Sequence, residues 1–408
     1  MVPKGWMLKQ LSDIVKEKIS YGIVQAGPHI PNGIPYIKSS DIRGAIDPAS
    51  LQRTAPEIHY KYRRSAVHPG DIIFSLRGNI GETAIVPSNL LEANLTQGTA
   101  RISVSGDQCN EFYHQQFAMD KLRNYINSLS KGSTFKEISL EELRKVKVLC
   151  APLPEQKKIA QILSTWDKAI TVTEKLLVNS QQQKKALMQQ LLTGKKRLLD
   201  ENGERFSGEW KRVKLGAIAD MNSGGTPKST VEEYYGGNIP WVSISDMTSN
   251  GKWIATTEKY LTELGLNSSS ARIYPKNSVL YAMYASIGEC SIAAVNLTSS
   301  QAILGIRPKD CLNYEFLYFY LTSLKEKIKL QGQQGTQSNL NAGMVKEFEL
   351  DLPSIREQQK IAAVLSAADA EISTLEKKLA CLRDEKKALM QQLLTGKRRV
   401  KVDEAVAV

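Results

Sequence analysis

The most regular pattern of apolar positions in the chain is a heptad repeat that occurs twice. From Ile361 to Leu393, apolar residues recur at alternating spacings of four and three, and only Lys386 in this stripe is polar. The stripe from Ile159 to Leu191 keeps the same register. Such a stripe can also belong to a helix that lies on its own globular core, but five heptads with charged flanks favour two helices that pair. The expected helix-pairing residues are Leu163, Trp166, Ile170, Leu177, Leu187, Leu191, Leu365, Ile372, Leu379, Leu389 and Leu393.

The ends of both helices are marked in the sequence. Pro154 suits a first helical turn, and Ser354 lies three residues before Glu357, the spacing of a capping box. Gly194 and Gly396 follow the two stripes, where a left-handed residue commonly closes a helix. The two helices are therefore predicted to begin at these capping signals and to end just before the two glycines.

The stripes lie in segments that are copies of each other. Residues 184–195 read KKALMQQLLTGK, and the same twelve letters return at residues 386–397, a shift of 202 residues (386 − 184). The segments before the helices repeat more weakly: IPYI at 34–37 matches IPWV at 239–242. The chain is thus a tandem duplication of units of about 200 residues. Short apolar runs alternate there with Gly and Pro turns, and residues 111–129 are predicted as a helix.

These patterns predict an α+β fold: two similar α/β domains separated by two long antiparallel coiled-coil helices, with pseudo-two-fold symmetry. The predicted boundaries are 1–152 and 204–352 for the domains and 153–203 and 353–408 for the helical segments. A helix of about 38 residues is roughly 57 Å long. This length exceeds one duplex turn of about 34 Å. Two domains on such a spacer suit two separated half-sites on DNA.

Charge adds a partner to this picture. The chain has 54 Lys and Arg against 42 Asp and Glu, a formal charge of +12, so we expect an anionic partner, with nucleic acid as the first candidate. The five cysteines form no CxxC pair, which argues against a zinc site and against a disulfide framework. The chain opens with no apolar signal segment and has no run of about eighteen apolar residues. We therefore expect a cytoplasmic protein with no membrane span.

Motifs for catalysis are missing from the sequence. The glycine-rich stretch at 223–228, SGGTPK, has the wrong spacing for a phosphate-binding loop, and the histidines form no metal-ligand pair. Asp71 and Glu82 have a nuclease-like separation, but no lysine follows Glu82 where such a site needs one. The sequence thus predicts no catalytic residue, no metal site and no cofactor in this chain.

Several longer stretches resemble one known family, the specificity subunits of type I restriction-modification systems. They are LPEQKKIAQIL and REQQKIAAVL at the helix starts, QQLLTGK at both helix ends, IPYIKSSDI and FSLRGNIGE in the first domain, and SGGTPKS, IPWVSISDM and YAMYASIGE in the second. The resemblance implies a non-catalytic subunit with two target-recognition domains, each for one half of a bipartite duplex target. It implies that the helices set the spacing and dock two modification subunits, which carry adenosyl-methionine and methylate adenine. Restriction subunits would then translocate and cut DNA with ATP and Mg.

The resemblance places DNA readout in loops at strand ends, where we select polar and aromatic side chains. Arginine can bond two acceptors of guanine and asparagine or glutamine those of adenine, while lysines mostly hold phosphates. For every position the alternative is a tyrosine that packs inward or a polar group that faces water. The candidate DNA-binding residues are Lys61, Arg63, Arg64, Arg77, Asn79, Ser133, Thr134 and Lys136 in the first domain, and Thr226, Lys228, Tyr281, Tyr284, Gln334, Gln337 and Ser338 in the second.

Two other classes of function stay open. One is a coiled-coil scaffold that carries two protein-interaction domains, and the other is a nuclease or methyltransferase with an unfamiliar site. Within the helices, Lys184 and Lys386 occupy stripe positions, where a polar residue can fix the register of pairing at a cost in stability. Lys184→Leu is therefore expected to loosen the orientation of the helices without lowering the melting temperature.

Overall fold

Short strands and short helices make up the segment before the first heptad repeat. The computed structural model describes residues 2–132, 136–333 and 340–402, without the side chains of residues 329–333. The strands are β1 (Met7–Gln10), β2 (Ser20–Tyr21), β3 (Ile34–Ile37), β4 (Arg53–Thr54), β5 (Ile72–Ser75), β6 (Thr83–Ile85), β7 (Asn94–Leu95), β8 (Thr99–Ile102) and β9 (Lys147–Cys150). The helices are α1 (Pro56–Lys61), α2 (Asn110–Phe117), α3 (Asp120–Ser128) and α4 (Leu140–Lys145), with 3-10 turns at Leu11–Asp13 and Arg63–Ser65.

The strands of this first domain pair in three sheets. The main sheet is antiparallel with the order β2-β8-β5-β6, a second has the order β4-β3-β7 with β3 parallel to β7, and β1 pairs with β9. The helix predicted at 111–129 is instead two helices, because Met119 takes an extended backbone (φ −69°, ψ 130°) between α2 and α3. The α+β prediction is confirmed.

The first heptad repeat forms helix α5 (Leu153–Leu191), and the segment after it repeats the strand order of the first domain. Its sheets have the orders β11-β18-β15-β16-β13, β14-β12-β17 and β10-β19, with β13 as an addition. The strands are β10 (Lys211–Lys214), β11 (Ala219–Ser223), β12 (Tyr235–Val242), β13 (Trp253–Ile254), β14 (Lys259–Leu261), β15 (Val279–Ala282), β16 (Cys290–Ala293), β17 (Thr298–Ser299), β18 (Ile303–Pro308) and β19 (Glu349–Leu352). The helices are α6 (Leu215–Ile218), α7 (Ile244–Asn250), α8 (Glu263–Asn267), α9 (Tyr314–Gln333), α10 (Ala342–Lys346) and, from the second heptad repeat, α11 (Ile355–Leu393), with a 3-10 turn at Glu232–Tyr234.

Helices α5 and α11 begin and end close to the predicted positions. Gly194 and Gly396 follow them in the left-handed conformation, with φ of 67° and 66°. The amide of Glu357 donates to Oγ of Ser354 at 3.4 Å, which is half of the predicted capping box. The carboxylate of Glu357 is occupied by other partners, so the capping arrangement differs from the expectation.

The chain forms two compact units, each made from parts of both long helices. One comprises Met1–Glu174 with Lys377–Val408, and the other comprises Lys175–Glu376. Each unit therefore holds one α+β domain, one half of α5 and one half of α11, and the units divide the helices in their middle. None of the helices that the structure describes is long and apolar enough to cross a membrane.

In the first unit, α5 and α11 pack in antiparallel directions. Lys386 donates to Asp167 at 2.6 Å, and Arg383 donates to Glu174 at 2.7 Å. Residue numbers therefore rise along α5 while they fall along α11. In the second unit, the same holds for its own halves of the two helices.

Polar heptad positions carry the pairing in the second unit. Ser180 donates to Glu371 at 3.0 Å, and Lys184 pairs with Asp369. The latter pair repeats the Lys386 pair of the first unit at a shift of 202 residues, with α5 and α11 exchanged. The two lysines of the stripes thus each bind a carboxylate on the opposite helix.

The outer turns of both helices also belong to the domain cores. Ile159, Leu163 and Leu393 are buried with Phe74 and Phe117 of the first domain. Leu191 and Leu365 are buried in the second domain's core, with Leu187 against it. The remaining candidate pairing residues are Trp166, Ile170, Leu177, Ile372 and Leu389, all partly buried, and Leu379, which is buried. Each helix therefore both lies on a domain core and pairs with its neighbour.

A cluster of Trp, Glu and Arg, which we call the end clasp, joins the start of one helix to the segment after the other. Arg197 donates from Nε and Nη2 to the two carboxylate oxygens of Glu357 at 2.6 and 2.7 Å, and Trp210 donates from Nε1 at 3.1 Å. The end clasp of the first unit consists of Glu155, Arg399 and Trp6. The repeated Glu and Arg of the sequence are thus partners in both units.

Candidate nucleic-acid interface

Two loops of the first domain leave its main sheet at the same end. Strand β8 lies between β2 and β5, with Tyr21 and Phe74 both opposite Ala100 and with Ser75 opposite Thr99. Strands β2 and β5 both run antiparallel to β8, so their carboxyl ends lie at the same end of the sheet. Neighbouring strands lie about 4.8 Å apart. The segments after Tyr21 and after Ser75 therefore begin roughly 10 Å from each other.

A basic segment (residues 59–66) packs beside the end of β2. Oγ of Ser20 donates to the carbonyl of Arg64 at 3.0 Å, and the guanidinium of Arg64 lies 5.9 Å from the ring centre of Tyr21. Lys61 and Arg63 are exposed, and neither forms an ion pair with any residue that the structure describes. Three of the predicted side chains therefore stand together at this edge with their charges available to an anion.

The candidate residues after β5 form a second group. Arg77 is exposed and pairs through Nε with Glu137 at 2.9 Å. Asn79 is exposed and donates to Glu82 at 3.3 Å, and Lys136 is exposed next to Glu137. The predicted positions Ser133 and Thr134 lie outside the described residues. Glu137 thus neutralises part of the charge of Arg77, while the Nη groups of Arg77 stay available to a phosphate or a base.

The second domain has the same geometry at its main sheet. Strand β18 lies between β11 and β15, with Leu304 opposite both Ser223 and Tyr281. Thr226 and Lys228 follow β11 and are exposed, and Tyr284 follows β15 and is partly exposed. These three predicted residues therefore lie on segments that leave the sheet at one end. The predicted positions Gln334, Gln337 and Ser338 lie outside the described residues.

The prediction that Tyr281 contacts DNA is wrong. Tyr281 is fully buried in β15, with its ring 6.3 Å from that of Phe348. Burial also raises the pKa of its hydroxyl group above the usual range. All four residues of β15 are buried, because the strand lies inside a sheet that is covered on both faces. Tyr284, three residues later, lies past the strand end and becomes accessible.

Residues that sequence reasoning missed lie beside Thr226. In the second domain, α8 occupies the place of α1, and a run of serines (residues 268–270) follows it as residues 62–64 follow α1. Oγ of Ser270 lies 3.5 Å from the carbonyl of Gly224, and a Cβ on Gly225 would lie 2.6 Å from the carbonyl carbon of Ser270. The sequence spacing could have identified them: residues 268–270 lie as far before Tyr274 as residues 62–64 lie before His68, and Tyr274-Pro275 corresponds to His68-Pro69. Tyr21 was missed for lack of a charged neighbour in sequence.

The residues weighed for catalysis have structural roles. Asp71 is buried, and its carboxylate accepts a hydrogen bond from the amide of His68 at 3.0 Å, which closes the turn before β5. Within the described ranges, no group of three or more His, Cys, Asp or Glu side chains is arranged to hold a metal ion.

Comparison with known proteins identifies the family. The family model described as type I restriction modification DNA specificity domain matches residues 3–179 and 207–382. The putative type I restriction enzyme MjaX specificity subunit of Methanocaldococcus jannaschii is 26% identical over 98% of this chain and 95% of its own length, and the MjaIX specificity subunit of the same organism is 36% identical over 41% of this chain and 40% of its own. The fold matches the crystal structure of a type I restriction-modification S subunit from M. genitalium with a TM-score of 0.64 at 16% identity, over 96% of this chain and 99% of that one. The chain therefore belongs to the family of type I restriction-modification DNA specificity subunits, with one recognition domain in each matched segment.

Proposed function

We propose that this chain is the non-catalytic, DNA-reading subunit of a type I restriction-modification complex. Each domain reads one half of a bipartite duplex target through the loops at one end of its main sheet. Helices α5 and α11 set the separation of the half-sites and dock two modification subunits in the cytoplasm. Those subunits bring adenosyl-methionine and methylate adenine, and restriction subunits cut DNA with ATP and Mg.

The observation that carries this proposal is the contrast between two corresponding loop sets on one scaffold. In both domains, the end of the first strand of the main sheet, with the residues after it, lies beside the end of a short helix and the residues that follow that helix. In the first domain these segments carry Tyr21, Lys61, Arg63 and Arg64, and in the second they carry Thr226 and serines. Corresponding segments with different side chains are what two different half-sites require, because base edges are read by side chains.

The chemistry of the first domain suits both backbone and base contacts. Lys61 and Arg63 are free to neutralise phosphates, which is the main source of affinity for duplex DNA. The guanidinium of Arg64 lies over the rings of both Tyr21 and Tyr62, with distances of 5.9 and 6.0 Å to the ring centres. An arginine fixed in this way presents its donors in one orientation, as bidentate recognition of guanine requires.

The test uses the chain in complex with its modification subunits and a duplex that carries the target. Arg63→Ala with Arg64→Ala is compared with Lys147→Ala, which removes an exposed cation from β9 of the same domain. Each lost phosphate contact lowers the slope of log K against log salt by about 0.9. We expect the double variant to lose one to two such contacts and Lys147→Ala to lose none.

The same complex gives the target. Methylated adenines mapped in cells that express the chain with its modification subunits are expected to reveal one bipartite, gapped motif. If the complex forms but binds DNA with the same weak affinity at every sequence, the interpretation as a coiled-coil scaffold gains support. If the double variant and Lys147→Ala showed equal salt slopes, the assignment of the basic segment to the DNA interface would be wrong.

A further inference from the structure

A buried asparagine lies directly beneath the basic segment of the first domain. Asn94, in β7, is fully buried. Its Oδ1 accepts a hydrogen bond from the amide of Leu95 at 2.8 Å and lies 2.8 Å from Oγ of Ser65, whose single proton is shared between Asn94 and the carbonyl of Tyr62, also at 2.8 Å. Its Nδ2 donates to the carbonyl of Tyr62 at 3.2 Å and lies 3.2 Å from Nδ1 of His59. Three of these four partners therefore belong to the basic segment.

These bonds hold the segment where its own helical bonding is interrupted. Tyr62 ends α1 with φ −111° and ψ 25°, and a 3-10 turn follows at once. Further along, Nη1 of Arg101 donates to the carbonyl of Ala66 at 2.5 Å. The inner side of the segment is thus fixed by side chains of β7 and β8. Its outer side presents Lys61 and Arg63 to solvent.

A buried side-chain amide such as that of Asn94 destabilises the fold unless all its polar atoms are hydrogen-bonded. A buried amide that loses a partner costs about 1 to 3 kcal/mol. The amide of Asn94 uses both lone-pair sites and both N–H groups, and it is the side chain whose two donors and one acceptor oxygen match this set of partners. Valine or leucine at this position would remove every bond from β7 to the basic segment and would leave the carbonyl of Tyr62 with only its local donors, the amide of Ser65 at 3.0 Å and its Oγ at 2.8 Å.

The second domain lacks this device at the corresponding place. Asn94 lies opposite Tyr36 in the parallel pair β3–β7, and Thr298 lies opposite Trp241 in the parallel pair β12–β17. Oγ1 of Thr298 is buried without a hydrogen-bond partner among the described residues. The serine run above it carries no charge. The amide thus occurs in the domain whose segment presents long cationic side chains.

We propose that Asn94 is a positioning residue for DNA recognition: it holds the basic segment in the conformation that meets DNA. The proposal rests on the proposed function of that segment. Long cationic side chains lose conformational entropy when they bind, and a fixed backbone reduces the part of the cost that binding must supply. Asn94 thereby controls affinity and salt dependence without touching DNA.

The test is a double-mutant cycle in the complex with modification subunits. Asn94→Thr, which installs the side chain of the second domain, is combined with Arg63→Ala and Arg64→Ala. Asn94→Thr alone is expected to weaken binding about tenfold, which corresponds to roughly 1.4 kcal/mol. Its salt slope is expected to fall toward that of the double arginine variant. Added to the arginine substitutions, Asn94→Thr is expected to cause almost no further loss, because the groups that it positions are gone.

Controls separate the possible failures. Thr298→Asn, the reverse exchange in the second domain, is expected to leave binding unchanged. Ser65→Ala removes one bond to Asn94 and serves if Asn94→Thr does not fold; about a threefold loss is expected, again absent when the two arginines are missing. Additive losses, or full affinity of both variants while the arginine variant is impaired, would overturn the proposal. An arginine variant that binds normally would instead overturn the proposed DNA contact.

Discussion

The two end clasps share their residue types but differ in burial, and this difference predicts unequal costs of losing the arginine. The side chain of Glu357 is 2% exposed and that of Arg197 is 20% exposed. In the first unit, the side chain of Glu155 is 12% exposed and that of Arg399 is 43% exposed. We expect Arg197→Ala to destabilise the second unit far more than Arg399→Ala destabilises the first.

The magnitude follows from what remains after the substitution. Without Arg197, the buried carboxylate of Glu357 keeps the indole N–H of Trp210 at 3.1 Å and loses two charged donors. Breaking a buried pair in this way costs about 3 to 5 kcal/mol, and the remaining bond favours the lower end. For a unit of about 200 residues, this loss lowers the melting temperature by roughly 6 to 12 °C. The Arg399 pair is weaker, about 1 to 2 kcal/mol, since Glu155 is largely buried but Arg399 is exposed, so that water and salt screen the pair.

The assay is urea unfolding followed by hydrogen exchange, so that peptides from each unit report its own stability. Arg197→Lys is the matched control: it keeps the charge but loses the two-pronged contact, and an intermediate loss is expected. Equal losses for Arg197→Ala and Arg399→Ala would refute the reasoning, because burial would then not govern the strength of the clasp. A loss in the first unit on Arg197→Ala would refute the assignment of the clasp to the second.

Three further results are expected. Contrary to the expectation from sequence, Lys184→Leu should lower the melting temperature, because it leaves the half-buried Asp369 without its cation. The expected loss in free energy of unfolding is about 1 to 2 kcal/mol. An unchanged melting temperature would contradict this. Burial lowers the pKa of His114 below its usual 6.5, so just below pH 6.5 the unfolded chain binds more protons than the folded chain. The free energy of unfolding should therefore be highest above pH 6.5 and should fall as the pH decreases below it. His114→Gln should remove this part of the pH dependence. Ala285 has φ of 59°, so Ala285→Gly should raise stability slightly in thermal unfolding, whereas Gly78→Ala at the corresponding loop should lower it by about 1 kcal/mol.

Local signals predicted the long helices well. The heptad spacing, the glycines at 194 and 396 and the 202-residue shift together locate α5 and α11 to within a few residues. The heptad spacing and the glycines work because each depends on neighbours within a few turns of one helix. The antiparallel direction followed from the duplication, and the contacts within each unit agree with it.

Long-range partners could not be predicted in the same way. Glu155 and Arg399 are 244 positions apart, and nothing local distinguishes this arginine from its neighbours. Only the fact that both residues recur at one shift points to a pair. Tyr281 was assigned to DNA as an aromatic residue at a strand end, whereas the strand that contains it is buried on both faces. No sequence pattern distinguishes Asn94 from other asparagines. Its hydrogen bonds to the basic segment are known only from the structure, which packs that segment against β7.

The discontinuous first unit has a consequence for synthesis on the ribosome. Its core includes Met390 and Leu393 of α11 and Leu394 just after it, which are made long after the first domain is complete. At about 5 to 20 residues per second, the roughly 220 residues after Glu174 take on the order of 10 to 45 s. The second unit is continuous from Lys175 to Glu376 and can close during that interval. Until the end of α11 is synthesised, the apolar surface of the first domain that α11 covers is exposed on the nascent chain. Chaperone binding should therefore be strongest on chains whose synthesis is stopped between Glu174 and the end of α11.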